Sequence, residues 1–328
     1  MPEKLLEIKN LKTYFALEDG GWAKAVDDVS FSVDKGETLC IVGESGCGKS
    51  MTALSIMDLI AKPPGKYMGG QILFHGKDLL TLSEKEKSSI RGNQIAMIFQ
   101  EPMTALNPVK KIGTQIAEVL QLHEHMDKKQ AMDQAILMLK KVGIPRAEKI
   151  VHEYPHQFSG GMRQRVMIAM AMMCNPELLI ADEPTTALDV TIQAQVLDLM
   201  RTMKREFHAA LIFITHDFGV VSEMADNVVV MYAGQIIESG QADMLFERPL
   251  HPYTRALLAS VPFIDQDKEV LNSIPGTVPE ASNYPEGCRF AERCDRCHAK
   301  CRKTEPKLQE PEPGHFVKCF WAGDEYCQ

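Results

Sequence analysis

Residues Gly43–Ser50 read GESGCGKS, and no other stretch limits the fold of this chain so tightly. They fit G-x-x-x-x-G-K-[ST], in which a glycine-rich turn joins a strand to a helix and offers its backbone N–H groups to phosphate. The flanks supply that context: Glu37–Val42 reads as a short buried strand and Met51–Leu59 as a helix. Such a loop engages a nucleoside triphosphate through Gly43, Glu44, Ser45, Gly46, Cys47, Gly48, Lys49, Ser50 and Met51. Lys49 is expected to reach the β- and γ-phosphates, and the Ser50 hydroxyl to take a place on Mg²⁺. The alternative, a chance Gly/Ser turn, leaves the strand–loop–helix setting without a reason.

A chain of 328 residues has room for two domains, or for one large domain and an appendage. Its net charge of −8 gives no bulk footprint for nucleic acid or anionic lipid, so no nucleic-acid partner is expected. The longest apolar runs, such as Val228–Ala233, are far too short to cross a bilayer. The N-terminal MPEKLLEIKN lacks the apolar centre of a secretory signal. A cytoplasmic location is expected, with any membrane role coming through a partner.

Short β-like runs at Leu5–Ile8, Ala25–Phe31, Thr38–Val42, Gly70–Phe74 and Gln94–Phe99 fill the first part of the chain. Helical periodicity takes over between about Pro102 and Gln157, as in Ile112–Leu122 and Gln130–Val142. Leu178–Ala181, Ala210–Thr215 and Val228–Tyr232 then read as buried strands separated by helices, the rhythm of a parallel sheet covered on both faces. The expected fold is an α/β nucleotide-binding domain over residues 1–262 with a helical subdomain at about 102–157. After about Pro262 periodicity fades while Pro, charge and Cys rise, so residues 263–328 read as a small Cys-rich C-terminal appendage.

The run Leu178–Glu183, LLIADE, places two carboxylates at the C-terminal end of an apolar strand. Asp182 can hold Mg²⁺ through water, and Glu183 can polarise or orient an attacking water. Further along, four elements resemble the motifs of ABC ATPases, in that family's order. Phe158–Arg165, FSGGMRQR, is similar to the LSGGQ signature; Gln100 matches the Q-loop, His216 the switch histidine, and Ala187-Leu188-Asp189 the D-loop. Phe15 lies where the family has an aromatic that stacks on adenine; Tyr14 is the alternative in a slipped register, and a packed strand residue is the plainer reading of both. The resemblance implies a P-loop ABC ATPase with an antiparallel β subdomain. It implies catalytic roles for Glu183, His216 and Gln100, and magnesium held about Ser50, Gln100 and Asp182.

Ser159-Gly160-Gly161 opens a helix, presenting a hydroxyl and bare N–H groups at its positive end. That is a second anion site in a chain with one phosphate loop. Head-to-tail pairing of two subunits satisfies both, each signature capping the nucleotide held by the other. Phe158 and Met162 depart from the consensus Leu and Gln, while the phosphate-facing Ser-Gly-Gly is intact.

Phe99–Pro108, FQEPMTALNP, looks like the FQDPMTSLNP segment of dipeptide/oligopeptide importer ATPases, as does Tyr154–Gln157 before the signature. His251–Leu258, HPYTRALL, is similar to a segment peculiar to that subfamily. The resemblance is to the first of its two ATPase subunits, the DppD/OppD type. It implies import of di- or oligopeptides, a second ATPase subunit of the DppF/OppF type, two permeases, an extracytoplasmic peptide-binding protein, and a peripheral place on the cytoplasmic face of the membrane. Importers of nickel, glutathione or oligosaccharide are the alternative within transport; an ABC ATPase of DNA repair or translation is the alternative outside it.

Of nine cysteines, Cys40 and Cys174 read as small core residues and Cys47 lies in the phosphate loop. The other six crowd into the C-terminal tail, which in a reducing cytosol points to metal before disulfide. Cys288, Cys294, Cys301 and Cys319 match the spacing of the subfamily's C-terminal extension, which implies a [4Fe–4S] cluster; Zn²⁺ and uncoordinated thiols are the alternatives. Cys297 and Cys327 fall outside the pattern. Arg289, Arg293, Arg296, Lys300, Arg302 and Lys303 outnumber the nearby acids and would offset the charge of a thiolate-bound group. His298 and His315 are candidate ligands too, with a surface histidine the plainer reading of both.

Overall fold

The computed structural model describes residues 3–101, 105–186, 188–260 and 274–322. Residues 102–104 of the importer-like segment, Ala187 of the D-loop, the domain boundary at Pro262 and Cys327 lie outside them. The strands are β1 (Lys4–Ala16), β2 (Trp22–Asp34), β3 (Thr38–Val42), β4 (Gly65–Phe74), β5 (Lys77–Asp78), β6 (Ile95–Ile98), β7 (Leu178–Asp182), β8 (Ala210–Thr215), β9 (Asn227–Tyr232), β10 (Gln235–Gln241), β11 (Gln309–Glu312) and β12 (His315–Val317). The helices are α1 (Lys49–Ile56), α2 (Glu84–Ile90), α3 (Ile112–His123), α4 (Lys128–Lys141), α5 (Ala147–Ile150), α6 (Gly160–Met172), α7 (Val190–Phe207), α8 (Phe218–Met224), α9 (Ala242–Glu247), α10 (Pro252–Ala259) and α11 (Ala299–Lys303).

The chain divides into two compact units. One comprises residues 1–5, 34–37 and 81–213. Its strands lie in the order β8-β7-β6, with β6 and β7 parallel. Every residue of β7 and β8 is buried, as strands covered on both faces require, and this is why both read as unbroken apolar runs. Helices α2 to α7 lie in the same unit. Asp127 starts α4 by accepting the N–H groups of Lys129 and Gln130 at 2.8 and 3.1 Å. The short α2 has a full capping box between Ser83 and Glu86, an S-x-x-E signal that the periodicity reading passed over.

The other unit comprises residues 6–33, 38–80 and 214–328. It contains a four-stranded sheet, β2-β1-β4-β5, in which β1/β4 and β4/β5 are antiparallel. A second set of strands runs β11-β12-β10-β9-β3, with β3 and β9 parallel and the other pairs antiparallel. The C-terminal segment thus adds the β11–β12 hairpin to the edge of β10, Glu238 pairing with Val317 and Ser239 with Phe316.

Arg289 reaches from the same segment to the N-terminal strands. It donates to the Asp27 carboxylate and to the Ala233 carbonyl, while Tyr14 donates its hydroxyl to Asp27 at 2.5 Å. Burial alone would raise the Asp27 carboxyl; the bonds from Tyr14 and Arg289 and the guanidinium charge outweigh it and hold the group below the usual carboxylate range. Tyr284 donates to the Lys24 carbonyl at 3.2 Å, and the Lys24 N–H donates to Ala281 at 2.8 Å. The tail is therefore stitched to β2.

This network yields a stability test. Asp27→Asn leaves the buried Arg289 without its counter-charge, and urea denaturation at neutral pH should show a loss of about 3 kcal/mol. Because the folded carboxyl titrates below its unfolded value, that contribution is whole above about pH 4 and fades as the pH falls through the folded pKa. The gap between wild type and variant should close on acidification. A gap that stays constant down to acid unfolding would show that the ion pair is not its source.

Candidate nucleotide-binding and hydrolysis site

The phosphate loop, Gly43–Ser50, runs from β3 into α1 with three left-handed glycines: Gly43 at φ +150°, Gly46 at +79° and Gly48 at +106°. Two of them are also forced by close packing. A Cβ on Gly43 would stand 2.3 Å from the Met231 carbonyl oxygen, and one on Gly48 2.4 Å from that of Ala25. Lys49, only 5% exposed, folds back over the loop and donates to the Gly43 and Glu44 carbonyls at 2.7 and 3.1 Å. Its ammonium is thus held against the backbone at the start of the loop. Ser50 and Met51 open α1, both half-buried. Cys47 is fully buried with its sulfur under Gly43, and burial pushes its thiol pKa up. It packs the loop from below; its carbonyl accepts the Gly234 N–H at 2.9 Å.

Two groups hold this loop that sequence reasoning did not assign to it. Tyr253, from the HPYT segment, is fully buried and accepts the Glu44 N–H on its hydroxyl at 2.9 Å. Arg293, from the cysteine tail, grips the Glu44 carboxylate. Arg289 and Arg293 are therefore engaged by Asp27 and Glu44, in place of the expected counter-charge role at the cysteines. The HPYT pattern was visible, but nothing in it says which surface its tyrosine meets.

Phe15 pairs with Gly65 across β1 and β4, its ring edge 3.0 Å from where a Gly65 Cβ would stand. Tyr14 is committed to Asp27 through its hydroxyl. His216 is exposed just beyond β8, followed by Asp217, which caps α8 by accepting the Gly219 and Val220 N–H groups.

The other expected residues belong to the unit containing β6, β7 and α6. Asp182 ends β7, buried at 5% exposure. Glu183 follows with φ +45°, a left-handed backbone uncommon outside glycine. Its carboxylate accepts the Gln100 side-chain amide at 3.1 Å and the Thr186 hydroxyl at 3.0 Å. The sequence-predicted pair Gln100 and Glu183 is thus brought into direct contact, and Thr186 joins it unforeseen.

Ser159 is the N-cap of α6, accepting the Met162 N–H at 3.4 Å, with Ser159 and Gly160 both exposed. Gly161 has a packing reason to lack a side chain: a Cβ would lie 2.7 Å from the Ile192 side chain of α7. Phe158, at the consensus leucine position, is buried and anchors the motif. Asp189 caps α7 by accepting the Ile192 N–H at 2.9 Å.

In the C-terminal segment Cys288, Cys294, Cys301 and Cys319 line one small apolar cavity with Phe290 and Trp321, and Cys297 does not. The Cys288 N–H donates to the Cys301 carbonyl at 2.8 Å, which ties the two turns together. Burial pushes the Cys288 thiol up to about 12 and that of Cys294 to about 11, and the neighbouring thiols add to both shifts. Among the described residues no three His, Cys, Asp or Glu side chains converge at the spacing of a single metal ion. His298 is exposed against Trp321, as expected of a surface residue. His315 is not on the surface: it is fully buried and bonded to Glu238 at 2.8 Å, because β12 carries it inward against β10.

No helix among the described residues is long and apolar enough to cross a membrane. Comparison with known proteins finds the ABC transporter family over residues 26–186 and the oligopeptide/dipeptide transporter C-terminal region over residues 237–301. The chain is 55% identical over 321 residues to the oligopeptide transport ATP-binding protein AppD of Bacillus subtilis, covering 98% of both chains. It is 49% identical to the oligopeptide transport ATP-binding protein OppD of Escherichia coli, covering 98% of this chain and 95% of the relative. Among solved structures, the ATP-binding cassette MJ0796 in a dimeric post-hydrolysis state with ADP and Pi superposes with a TM-score of 0.65 at 24% identity, over 72% of this chain and 98% of that one. The cassette cbiO1 of Clostridium perfringens gives 0.62 at 26% identity, over 75% and 92%. A phosphate loop, an acidic strand end, a signature helix and an HPYT segment thus coincide with relatives matched along nearly the whole chain: this protein belongs to the ATP-binding subunits of oligopeptide and dipeptide ABC transporters.

Proposed function

We propose that the chain hydrolyses MgATP to drive import of di- or oligopeptides, as one of a pair of ATPase subunits on two permeases fed by an extracytoplasmic peptide-binding protein. The second ATPase is a different chain of the DppF/OppF type, and the assembly lies on the cytoplasmic face of the membrane. The C-terminal transporter match at residues 237–301 favours peptide cargo over a role in DNA repair or translation.

In this reading Phe15 meets the adenine, and the loop residues Gly43 to Met51 take the phosphates with Lys49 on the β- and γ-groups. Ser50, Asp182 and Gln100 carry hard oxygen donors of the kind magnesium prefers, and they would hold the ion. When bound, the ion would neutralise the charge that develops on the phosphates. Glu183 takes a proton from the attacking water, oriented by Gln100, and His216 faces the γ-phosphate. Ser159, Gly160, Gly161 and Asp189 serve the nucleotide of the partner subunit. The observation that carries hydrolysis, beyond binding, is Glu183: its left-handed backbone turns the carboxylate out of the strand, where Gln100 and Thr186 fix it. Glu183→Gln should bind MgATP as wild type does, lose about 100-fold or more in turnover, and trap the ATP-joined pair. Turnover at the wild-type rate in the reconstituted transporter would remove Glu183 from the mechanism.

Residues 1–262 form the nucleotide-binding domain and residues 263–328 a C-terminal extension. In that extension we assign Cys288, Cys294, Cys301 and Cys319 to a [4Fe–4S] cluster, with Zn²⁺ as the alternative. The shared apolar cavity supports a common ligand for the four thiols. Thiols this basic ionise when a cationic centre takes them. Its role is structural, stapling a segment with little core of its own. Anaerobic purification should yield about four irons per chain and visible absorption that dithionite bleaches. Cys288→Ser should remove both while Cys297→Ser keeps them. One zinc per chain and no colour would replace the cluster with the zinc site.

A further inference from the structure

The tail that carries the cysteines also reaches into the phosphate loop. Arg293, next to Cys294, has a side chain only 5% exposed and grips Glu44 with both terminal nitrogens, Nη1 to Oε2 at 2.6 Å and Nη2 to Oε1 at 2.9 Å. Nε donates to the Pro275 carbonyl at 2.8 Å, and the terminal nitrogens also contact Ile274 and Tyr232 at 3.4 Å each. The guanidinium lies 5.7 and 5.9 Å from the ring centres of Tyr232 and Phe290. Anchored on so many sides, the fork cannot follow Glu44 if the loop shifts.

Glu44 is the second residue of the loop. Its N–H is held by Tyr253 and its carbonyl by Lys49, the side chain expected to reach the phosphates. Arg293 and Lys49 therefore act on the same residue from opposite ends. A bare carboxylate here would repel an incoming triphosphate; the bidentate pair neutralises it and fixes its direction, which a lysine's single ammonium does less well.

We propose that Arg293 is a positioning residue of the nucleotide site, holding Glu44 so that the phosphate loop is preset for a triphosphate and coupling the packing of the cysteine segment to ATP occupancy. The inference rests on the ATP reading above. By linkage the coupling is reciprocal: whatever loosens Arg293 weakens ATP, and ATP tightens the seat of Arg293.

The test is a double-mutant cycle on the full chain, with MgATP affinity measured by displacement of a fluorescent ATP analogue at fixed ionic strength and folding followed by thermal melts. Arg293→Met should weaken MgATP binding about tenfold in the wild-type background, and Arg293→Lys by a smaller factor. In the Glu44→Gln background the same changes should alter affinity by less than about twofold. Equal losses in both backgrounds would make Arg293 a general staple of the tail and overturn the proposal, as would no loss in either. Should Arg293→Met fail to fold, the Arg293→Lys cycle gives the same discrimination. A folded wild-type chain that binds no MgATP would instead overturn the ATP reading, and the proposal with it.

Discussion

The close approach of backbone to backbone around the phosphate loop is the constraint on which the rest of its unit depends. Gly43 rests against the Met231 carbonyl of β9 and Gly48 against the Ala25 carbonyl of β2, at separations that leave no room for a methyl group. Two strands from distant parts of the chain are thereby fixed against one turn. The Gly234 N–H bonds to Cys47 and the Asp27 N–H to the Gly234 carbonyl, so the contact is hydrogen-bonded as well as tight. Unmet N–H groups of a turn are costly when buried unless an anion or a carbonyl meets them. A glycine-rich turn of this kind between a strand and a helix is built to receive phosphate.

The parts legible in the sequence were those whose chemistry is local. The loop, the acidic end of β7 and the signature each combine a glycine or carboxylate requirement with an adjacent apolar run, so a few residues suffice to declare them. The buried strands β3, β7 and β8 read correctly because a strand covered on both faces has no polar face to confuse the pattern.

What stayed hidden depends on partners far along the chain. His315 looked like a surface residue because its neighbours are Pro, Gly and charge; only the pairing of β12 with β10 shows that it faces inward. Arg289 and Arg293 looked like counter-charges for the cysteines beside them, yet their partners, Asp27 and Glu44, lie 262 and 249 residues away. Tyr253 likewise supports Glu44 from 209 residues away. No periodicity or spacing encodes a hydrogen bond of that kind. Such bonds are set by which strand edge the tail adopts.

That edge is itself chosen by one buried carboxylate. Glu238 in β10 is fully buried; it accepts the Leu250 and His251 N–H groups at 2.7 and 2.8 Å and shares a hydrogen bond with His315 Nε2 at 2.8 Å. A buried carboxylate with three hydrogen-bond partners is satisfied; with one removed it is not. The first two donors place the start of α10, where His251, its pKa pushed down to about 4 by burial, accepts the Tyr253 N–H on Nδ1. The third partner places β12. A single unbroken run of hydrogen bonds thus leads from Glu238 through His251 to Tyr253, and from Tyr253 to Glu44 and Arg293. The HPYT segment and the cysteine tail are therefore continuous with the phosphate loop in their bonding. Whatever fixes the tail therefore also braces, through the same bonds, the turn that begins at Gly43.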